Sequence, residues 1–258
     1  MGSISRSSLA IVIMAAGKGT RMKSDLPKVL HQLQGRPLVS HVMDTARALG
    51  PERLVLIAGY QKRRVLDAVM ADDVIAVSQD DPRGTGHAIM QTEAALSDFS
   101  GDVMILSGDV PLLPASELKK FLDHHRKSEA WITLMTADLD NPTGYGRIVR
   151  NANGSVSAIV EEKDADEATR QVKEFNSGIY LIKSQGLFDR LRRIGNDNAK
   201  GEFYLTDIVG IAVRDGLRVT AYRVEDAREI LGVNTVEELR QVDHILKMRI
   251  ASDDTRKM

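Results

Sequence analysis

The sequence predicts an α/β protein whose central sheet is mostly parallel. Short segments rich in β-branched residues alternate with helical patterns along the first half of the chain. This alternation is typical of strand–helix–strand units, whose right-handed crossovers place successive strands parallel in one sheet. The first of these segments, residues 9–14, is continuously apolar, as expected for a strand that helices cover on both faces.

The first half contains four predicted strands with helices between them. The helix over residues 37–49 has apolar side chains at helical spacing, with Pro37 suited to its first turn and Gly50 to its end. The predicted strands are residues 9–14, 53–58, 74–78 and 103–106. The predicted helices are residues 37–49, 61–71 and 86–97, followed by one that begins near Pro114.

The second half has closely spaced strands and few helices between them, which indicates a mixed or antiparallel extension of the same sheet. Its predicted strands are residues 130–137, 146–149, 156–160, 177–183 and 218–223, and its helices are 184–193, 203–214 and 236–250. We expect the polar residues 251–258 to fray. No internal repeat and no Pro- or Gly-rich linker divides the halves, so we expect one domain with two lobes.

Composition excludes several classes of protein. The chain of 258 residues carries 35 basic and 36 acidic side chains, so it is not a generally basic nucleic-acid-binding protein. It has no cysteine, which excludes disulfides, thiolate metal sites and thiol nucleophiles. Its apolar runs are shorter than the ~18 residues of a membrane span, and the start of the chain does not read as a secretion signal. We therefore expect a soluble cytoplasmic protein that binds neither nucleic acid nor membrane.

The loop after the first strand is the first candidate site, because ligands of parallel sheets bind beyond the carboxyl ends of the strands. Residues 15–22 are glycine-rich, and their N–H groups could form an anion-binding nest. The loop matches neither the dinucleotide fingerprint nor the Walker A pattern. Arg21 and Lys28, the latter after the stiff elbow at Pro27, could hold a triphosphate. The alternative is a glycine-rich turn with solvated cations.

The loop after the third strand could read a nucleotide base. Gln79 carries a donor and an acceptor on one planar amide, as a pyrimidine edge requires. Gly84 and Gly86 free the backbone before a helix, and Thr85 could add a hydroxyl contact. His87 could be catalytic, but we favour packing or capping of the helix start.

Three further polar residues have both a functional and a structural interpretation. Asp109 follows a buried central strand, so it is either a Mg²⁺ ligand or an Asx-turn cap before the next helix. Glu161 and Asn176 adjoin apolar strands, where they could bond sugar hydroxyls and an acetamido group or simply be strand-end polar residues. Asn234 by itself is typical of a turn or a helix N-cap.

Taken in order, the motifs resemble those of a known family, the uridyltransferase domain of the bifunctional N-acetylglucosamine-1-phosphate uridyltransferase/glucosamine-1-phosphate acetyltransferases. The resemblance covers about residues 9–250. The motifs are AAGKGTRM at 15–22, LPKVL at 26–30, GTGHA at 84–88, GDVPL at 108–112, PTGYGRI at 142–148, VEEKDA at 160–165 and GVN at 232–234.

The resemblance implies which residues form the site. The nucleotide-binding positions correspond to Ala15, Ala16, Gly17, Gly19, Gln79, Gly84 and Thr85. The catalytic positions correspond to Arg21, Lys28 and Asp109, and the metal ligands to Asp109 and Asn234. The sugar-binding positions correspond to Gly146, Glu161 and Asn176, with Tyr204 and Thr206 in a neighbouring wall.

The resemblance also implies a fold and a reaction. The fold is the Rossmann-like nucleotide-diphospho-sugar transferase fold, with a nucleotide lobe over about residues 9–112 and a mixed sugar-binding lobe over about residues 113–235. Residues 1–8 would be a flexible N-terminus, and residues 236–258 a C-terminal helix and tail. The partners would be UTP and N-acetylglucosamine 1-phosphate, which give pyrophosphate and UDP-N-acetylglucosamine, a precursor of peptidoglycan. Mg²⁺ would be the cofactor, and the attack would be in line with no covalent intermediate.

The chain departs from the family pattern at several positions. Pro82 and Arg83 stand where Gln and Leu are frequent, so one side-chain contact to the base could be absent, and Ser107 stands where some relatives have Tyr. No hexapeptide repeat follows the last helix. We therefore expect the chain to lack the acetyltransferase activity and the trimerising β-helix of the family, and to be a monomer or a weak oligomer.

Three alternatives remain for the function. The nearest is a pyrophosphorylase for another sugar 1-phosphate. The second is a cytidylyl- or molybdopterin-type transferase on the same fold. The third is a catalytically silent sugar-nucleotide sensor, although a protein that only binds its ligand has no need of both metal ligands and both cations.

Overall fold

The computed structural model describes residues 8–256. Its strands are β1 (Ser8–Ala15), β2 (Gln32–Leu33), β3 (Arg36–Pro37), β4 (Arg53–Ala58), β5 (Val74–Ser78), β6 (Gly101–Ser107), β7 (Ile132–Asp138), β8 (Arg147–Arg150), β9 (Val156–Val160), β10 (Glu174–Lys183) and β11 (Val219–Arg223). Its α-helices are α1 (Leu38–Arg47), α2 (Lys62–Val69), α3 (Thr85–Met90), α4 (Glu93–Leu96), α5 (Ala115–Ser128), α6 (Glu167–Arg170), α7 (Leu187–Leu191), α8 (Asp207–Arg214) and α9 (Val236–Arg256). Short 3₁₀ helices span Thr20–Met22, Lys28–Leu30 and Ala227–Ile230.

One nine-stranded sheet forms the centre of the molecule. Its main path has the order β11-β7-β10-β6-β1-β4-β5, and β8 and β9 extend it from β10. The strands β6, β1, β4 and β5 are parallel to one another, whereas β10 runs antiparallel to both β6 and β7. The predicted α/β fold, with a mostly parallel first half and a mixed second half, is therefore confirmed.

Two apolar clusters cover the opposite faces of this sheet. Along β1, Ile11 and Ile13 belong to the cluster that contains side chains of α1 and α5. The intervening Val12 belongs to the cluster that contains side chains of α3, α7 and α8. Because the middle of β1 is buried on both faces, its sequence is continuously apolar instead of alternating.

A third, smaller cluster places α9 beside the loop after β6. Val242 of α9 packs with Leu33 of the β2–β3 hairpin and with Leu112. Val233, which precedes α9, belongs to the same cluster. None of the helices within residues 8–256 is both long and apolar enough to span a lipid bilayer.

Several predicted helices have different bounds in the structure. The helix expected over 86–97 is divided into α3 and α4, and the Thr92 hydroxyl between them donates to the Ile89 carbonyl oxygen at 2.7 Å, a bond that competes with regular helix. The helix expected over 184–193 is shorter because Gly186, in the left-handed region with φ 70°, precedes α7. The helix expected over 203–214 begins only at Asp207.

The chain ends also differ from expectation. The last helix, predicted over residues 236–250, continues as α9 to Arg256 and so enters the segment that was expected to fray. Ser8 belongs to β1 and not to a flexible N-terminus. The other residues of the predicted N-terminal segment, 1–7, and the last two residues lie outside the part of the chain that the structure describes.

Candidate active site

A cavity of about 300 Å³ lies at the carboxyl ends of β1, β5 and β6, where the fold class predicts a ligand. Its lining contains Ala15, Ala16, Gly17, Lys28, Gln79, Gly84, Thr85 and Asp109, together with Met14, Val29, Pro82, Ala88, Ser107 and Glu202. A larger groove of about 490 Å³ lies at the amino end of β1, but none of the predicted site residues lines it. We therefore place the candidate active site in the smaller cavity.

The glycine-rich loop leaves the sheet between two neighbouring strand ends. Gly108 N donates to Met14 O and Tyr60 N donates to Ala16 O, both at 3.0 Å, so the start of the loop is held on both sides. Gly17 is exposed, and a Cβ added there would meet nothing within 4 Å. Gly19 has φ +69°, and a Cβ there would collide with Lys28. The loop thus combines open space at Gly17 with tight packing at Gly19.

Four of the predicted residues meet in one polar cluster at the edge of the cavity. Lys28 Nζ donates to Asp109 Oδ2 and, at 3.0 Å, to Asn234 Oδ1. Arg21 Nη2 donates to the same Asn234 oxygen at 2.8 Å. The partners of Lys28 lie 81 and 206 positions away in the sequence, so only the tertiary fold brings these groups together.

Asp109 is ionised in this cluster. Burial raises the pKa of its carboxyl, but the charge of Lys28 and hydrogen bonds from Lys28 and Ser107 outweigh burial and hold the pKa below its usual value. The Ser107 hydroxyl donates to Asp109 Oδ1 at 2.6 Å. Ser107, one of the departures from the family pattern, therefore contributes a hydrogen bond that orients the carboxylate.

The cluster fits a divalent cation. Asp109 and Asn234 present oxygen atoms to the same ammonium group of Lys28, which shows that both oxygens face one point where positive charge is stabilised. Carboxylate and amide oxygens are ligands that suit Mg²⁺. Within residues 8–256, no group of three or more His, Cys, Asp or Glu side chains is placed to hold a metal ion. An ion at this point would therefore need phosphate or water oxygens as its remaining ligands.

The residues predicted to read the base line the cavity where the loop before α3 meets the segment before α8. Gln79 is buried, and its amide nitrogen donates to Gly84 O at 3.0 Å, which fixes the amide plane. Gly84 has φ +114°, and a Cβ there would lie 2.6 Å from Phe203 O. The Thr85 hydroxyl accepts a hydrogen bond from Leu205 N at 3.0 Å, a structural contact that the sequence did not reveal.

The neighbouring His87 packs against polar side chains instead of lining the cavity. Its Nδ1 lies 3.2 Å from the Gln79 amide nitrogen, and its Nε2 lies 3.2 Å from the Gln91 amide nitrogen. His87 is absent from the lining given above for the described residues. These contacts agree with the packing role that the sequence favoured.

The predicted sugar-binding residues form a second cluster outside this cavity. Thr206 Oγ1 donates to Glu161 Oε1 at 3.1 Å, and a Cβ on Gly146 would lie 3.6 Å from the same oxygen. Asn176 N donates to Gly146 O at 2.8 Å, and the Asn176 amide donates to the Tyr180 hydroxyl at 2.7 Å. The structure therefore brings Gly146, Glu161, Asn176 and Thr206 together.

The chemistry of this second cluster is set by burial. Burial raises the pKa of Glu161, and the charges of Asp164 and Asp207 raise it further, against the hydrogen bond from Thr206. Tyr204 is buried, and within the described part of the chain its hydroxyl has no hydrogen-bond partner that satisfies normal geometry. Burial and nearby carboxylates raise the pKa of Tyr204 to about 12, so the phenol stays neutral.

Sequence reasoning missed one residue beside the polar cluster. Tyr145 packs its ring against Phe175, with the ring centroids 4.6 Å apart. Burial, with the charges of Glu238 and Asp109, raises the pKa of Tyr145 to about 12. The signal was present, because Tyr145 lies in the PTGYGRI motif from which only Gly146 was taken.

Comparison with known proteins assigns the chain to a family. The family model of the MobA-like NTP transferase domain matches residues 11–202. The chain belongs to this family. Its mixed α/β sheet and the cavity at the strand ends are what a member of a nucleotidyltransferase family needs to bind its nucleotide.

Two individual relatives show which proteins the chain resembles in sequence. The bifunctional protein GlmU of Pelotomaculum thermopropionicum is 46% identical over 245 residues, which are 95% of this chain and 53% of that protein. GlmU of Desulfotalea psychrophila is 44% identical over 241 residues, which are 93% of this chain and 71% of that protein. The chain spans about half the length of the first of these relatives. The resemblance to one domain of a bifunctional protein is thereby confirmed.

A solved structure shares the fold. A candidate glucose-1-phosphate thymidylyltransferase from Bacillus anthracis superimposes with a TM-score of 0.74, covering 92% of this chain and 95% of that one. The sequences are 17% identical, so this similarity concerns the fold alone.

Proposed function

We propose that this chain is an N-acetylglucosamine-1-phosphate uridyltransferase, which makes UDP-N-acetylglucosamine and pyrophosphate from UTP and N-acetylglucosamine 1-phosphate. The observation that carries the proposal is the meeting of Arg21, Lys28, Asp109 and Asn234 at one edge of the cavity. Relatives named GlmU, 43–46% identical over most of the chain, support the choice of substrates. The reaction would supply a precursor of peptidoglycan and would take place in the cytoplasm.

The attacking group needs no general base. A phosphate monoester has a second pKa of about 6, so N-acetylglucosamine 1-phosphate is mostly a dianion at neutral pH. The task of the protein is then to align two anions and to stabilise the charge that moves to pyrophosphate. Arg21 and Lys28 supply two positive charges at the edge of the cavity for this purpose.

Asp109 and Asn234 would hold a magnesium ion. When bound there, the ion would add positive charge next to the phosphates of both substrates. The protein's own contribution is to keep Asp109 ionised through Lys28 and Ser107, and to fix both oxygens against one point. This arrangement favours an enzyme over a silent sensor, because a sensor needs no such convergence of charge.

The two clusters divide the binding of the substrates. We assign the uracil ring to Gln79, Gly84 and Thr85, and the phosphates to the backbone of Ala15, Ala16, Gly17 and Gly19. We assign the sugar to Gly146, Glu161 and Asn176, with Tyr204 and Thr206 in the neighbouring wall. The nucleotide lobe is then residues 9–112 and the sugar lobe residues 113–235, as the resemblance implies.

The test is a substrate panel with released pyrophosphate as the measurement. UTP, CTP and GTP are each combined with N-acetylglucosamine 1-phosphate, glucose 1-phosphate and glucosamine 1-phosphate, with and without Mg²⁺. We expect UTP with N-acetylglucosamine 1-phosphate to give the highest kcat/KM, and only with Mg²⁺. A higher value for another pair would replace the proposed substrates, and nucleotide binding without any turnover would favour a sensor.

Two lysine variants test whether the activity measured in this panel depends on the polar cluster. Lys28→Ala removes a charge from the polar cluster, so kcat should fall by about 10²–10³-fold. Lys23→Ala is the matched control, because Lys23 is an exposed lysine of the same loop and should leave kcat nearly unchanged. Equal rates for the two variants would remove Lys28 from the catalytic machinery.

A further inference from the structure

The start of α9 is closed by two reciprocal hydrogen bonds. Glu238 N donates to Thr235 Oγ1 at 3.1 Å, and Thr235 N donates to Glu238 Oε2 at 3.0 Å, which is the geometry of a capping box. The same Glu238 oxygen also accepts from Asn234 N at 2.6 Å. The Glu238 carboxylate therefore also binds the backbone N–H of Asn234, the residue that precedes the capping box.

Asn234 is restrained from the other side by the loop that carries Asp109. Val233 N donates to Asp109 O at 2.9 Å, so the segment before α9 is hydrogen-bonded to the backbone of Asp109. The Asn234 amide nitrogen donates to Gly232 O at 3.2 Å, which leaves its oxygen toward Arg21 and Lys28. The direction of that oxygen thus depends on where the backbone of Asn234 is held.

The far part of α9 contacts the same loop again. Arg249 Nη1 donates to Leu112 O at 2.8 Å, three residues after Asp109. Val242 of α9 and Leu112 also belong to the same apolar cluster. One helix therefore contacts both segments that carry the proposed metal ligands.

We propose that Glu238 is a positioning residue, which holds Asn234 so that its side-chain oxygen and the Asp109 carboxylate face one cation. This proposal rests on the proposed function, because it takes Asn234 as a metal ligand. Groups that orient metal ligands from behind typically change metal affinity by about 10–100-fold when they are removed. The α9 helix then contributes to the active site through Glu238 in its first turn.

The test compares three variants of Glu238 with one neighbour. Glu238→Ala removes the acceptor, Glu238→Asp keeps the charge but shortens its reach, and Glu238→Gln keeps an oxygen at the same place. Glu237→Ala is the matched control, because Glu237 is an acid of the same helical turn whose partner is the exposed Arg240. The first measurement is the Mg²⁺ concentration that half-saturates pyrophosphate release. The second is Mn²⁺ affinity with UDP-N-acetylglucosamine bound, from electron paramagnetic resonance with a protein-free blank.

We expect Glu238→Ala and Glu238→Asp to raise both the half-saturating Mg²⁺ concentration and the Kd for Mn²⁺ by about 10-fold or more, while Glu238→Gln and Glu237→Ala stay within about twofold of the unsubstituted protein. A purely capping role would instead lower the melting temperature without moving the Mn²⁺ affinity, and that result would overturn the proposal. Equal losses in Glu238→Ala and Glu238→Gln would also overturn it, since they would point to charge instead of position.

The failure of the proposed function would look different. The proposed reaction would be contradicted if the unsubstituted protein binds Mn²⁺ but releases no pyrophosphate from UTP and N-acetylglucosamine 1-phosphate. The Mn²⁺ affinities of the variants would then still show whether Glu238 positions Asn234. If Glu238→Ala does not fold, the pair Glu238→Asp and Glu238→Gln decides, because both keep a polar side chain at the start of α9.

Discussion

Gly17 and Gly19 belong to one short motif, yet their surroundings differ. Gly19 adopts a left-handed backbone against Lys28, which leaves no room for a Cβ. Gly17 has neither restriction, and the space beside it is open to the cavity. A glycine that the fold itself does not require is explained by a ligand that must approach the backbone closely. Packing therefore gives Gly19 a structural reason to be glycine, whereas the open space at Gly17 supports the proposed approach of a phosphate to its backbone.

This difference predicts opposite results for two conservative substitutions. Gly19→Ala should lower the free energy of unfolding by about 1–2 kcal/mol, because Ala must adopt a left-handed conformation and displace Lys28. Gly17→Ala should change that free energy by less than about 0.5 kcal/mol. It should nevertheless weaken UTP binding, since the added methyl occupies the space we assign to the phosphates. Urea denaturation and UTP titration measure the two effects, and undiminished UTP affinity in Gly17→Ala would remove Gly17 from the phosphate cradle.

At the scale of elements, the start of β8 holds the loop that presents Gly146. Arg147 is only 1% exposed, its guanidinium pairs with Glu162 at 2.7 Å, and it donates to the Tyr145 carbonyl oxygen. Glu162 also accepts a hydrogen bond from Gly144 N at 3.3 Å. The pair joins the loop before β8 to the residues after β9, where Glu161 lies. Both sides of the proposed sugar site are thus held by one ion pair, whose arginine is buried.

Two arginines of β8 provide the test of this role. Arg147→Gln leaves Glu162 without its buried partner, so unfolding should become easier by about 3 kcal/mol and KM for N-acetylglucosamine 1-phosphate should rise at least tenfold. Arg150→Gln breaks the pair with Glu174 at the other end of the same strand. It should lower stability while leaving both KM values nearly unchanged. If KM for UTP rises as much as KM for the sugar phosphate in Arg147→Gln, the loop is not specific to the sugar.

The features that the sequence predicted best are the strands buried on both faces of the sheet and the residues at their ends. The apolar run of β1 and the strand-end position of Asp109 follow from the sheet rule without knowledge of any partner. The start of α8 could not be predicted, because Phe203 and Leu205 are held by hydrogen bonds to Arg83 and to the first residues of α3, which are distant in the sequence. Local patterns favour a helix there, and tertiary contacts override them.

The site was predictable in parts and not as a whole. Asn234 alone was indistinguishable from a turn residue, and only the resemblance made it a candidate ligand. Its meeting with Lys28 spans 206 positions, which no local pattern encodes. The hydrogen bond from Leu205 to Thr85 and the contact of Glu238 with Asn234 were likewise invisible, because both depend on packing between separate elements.

At the scale of the molecule, the fold brings together polar side chains from the start, the middle and the end of the chain. Lys28 follows β1, Asp109 follows β6, and Asn234 precedes α9. These contacts exist only in the folded chain, so a ligand that binds them is coupled to the stability of the whole protein. Ligand-dependent unfolding therefore reports on the assembled site independently of catalysis.

This coupling predicts a Mg²⁺-dependent rise in melting temperature. UDP-N-acetylglucosamine at 100 times its Kd should add about 2.7 kcal/mol to the free energy of unfolding, and this corresponds to about 5–10 °C for a chain of this size. Asp109→Ala should lose the part of the rise that requires Mg²⁺ and keep the part that the nucleotide produces alone, because Gln79 and the glycine-rich loop are unchanged. Asp123→Ala, at the opposite end of the sheet, should keep both parts. A full Mg²⁺-dependent rise in Asp109→Ala would show that the ion is held elsewhere, since the proposed site would then lack its only charged ligand from the protein.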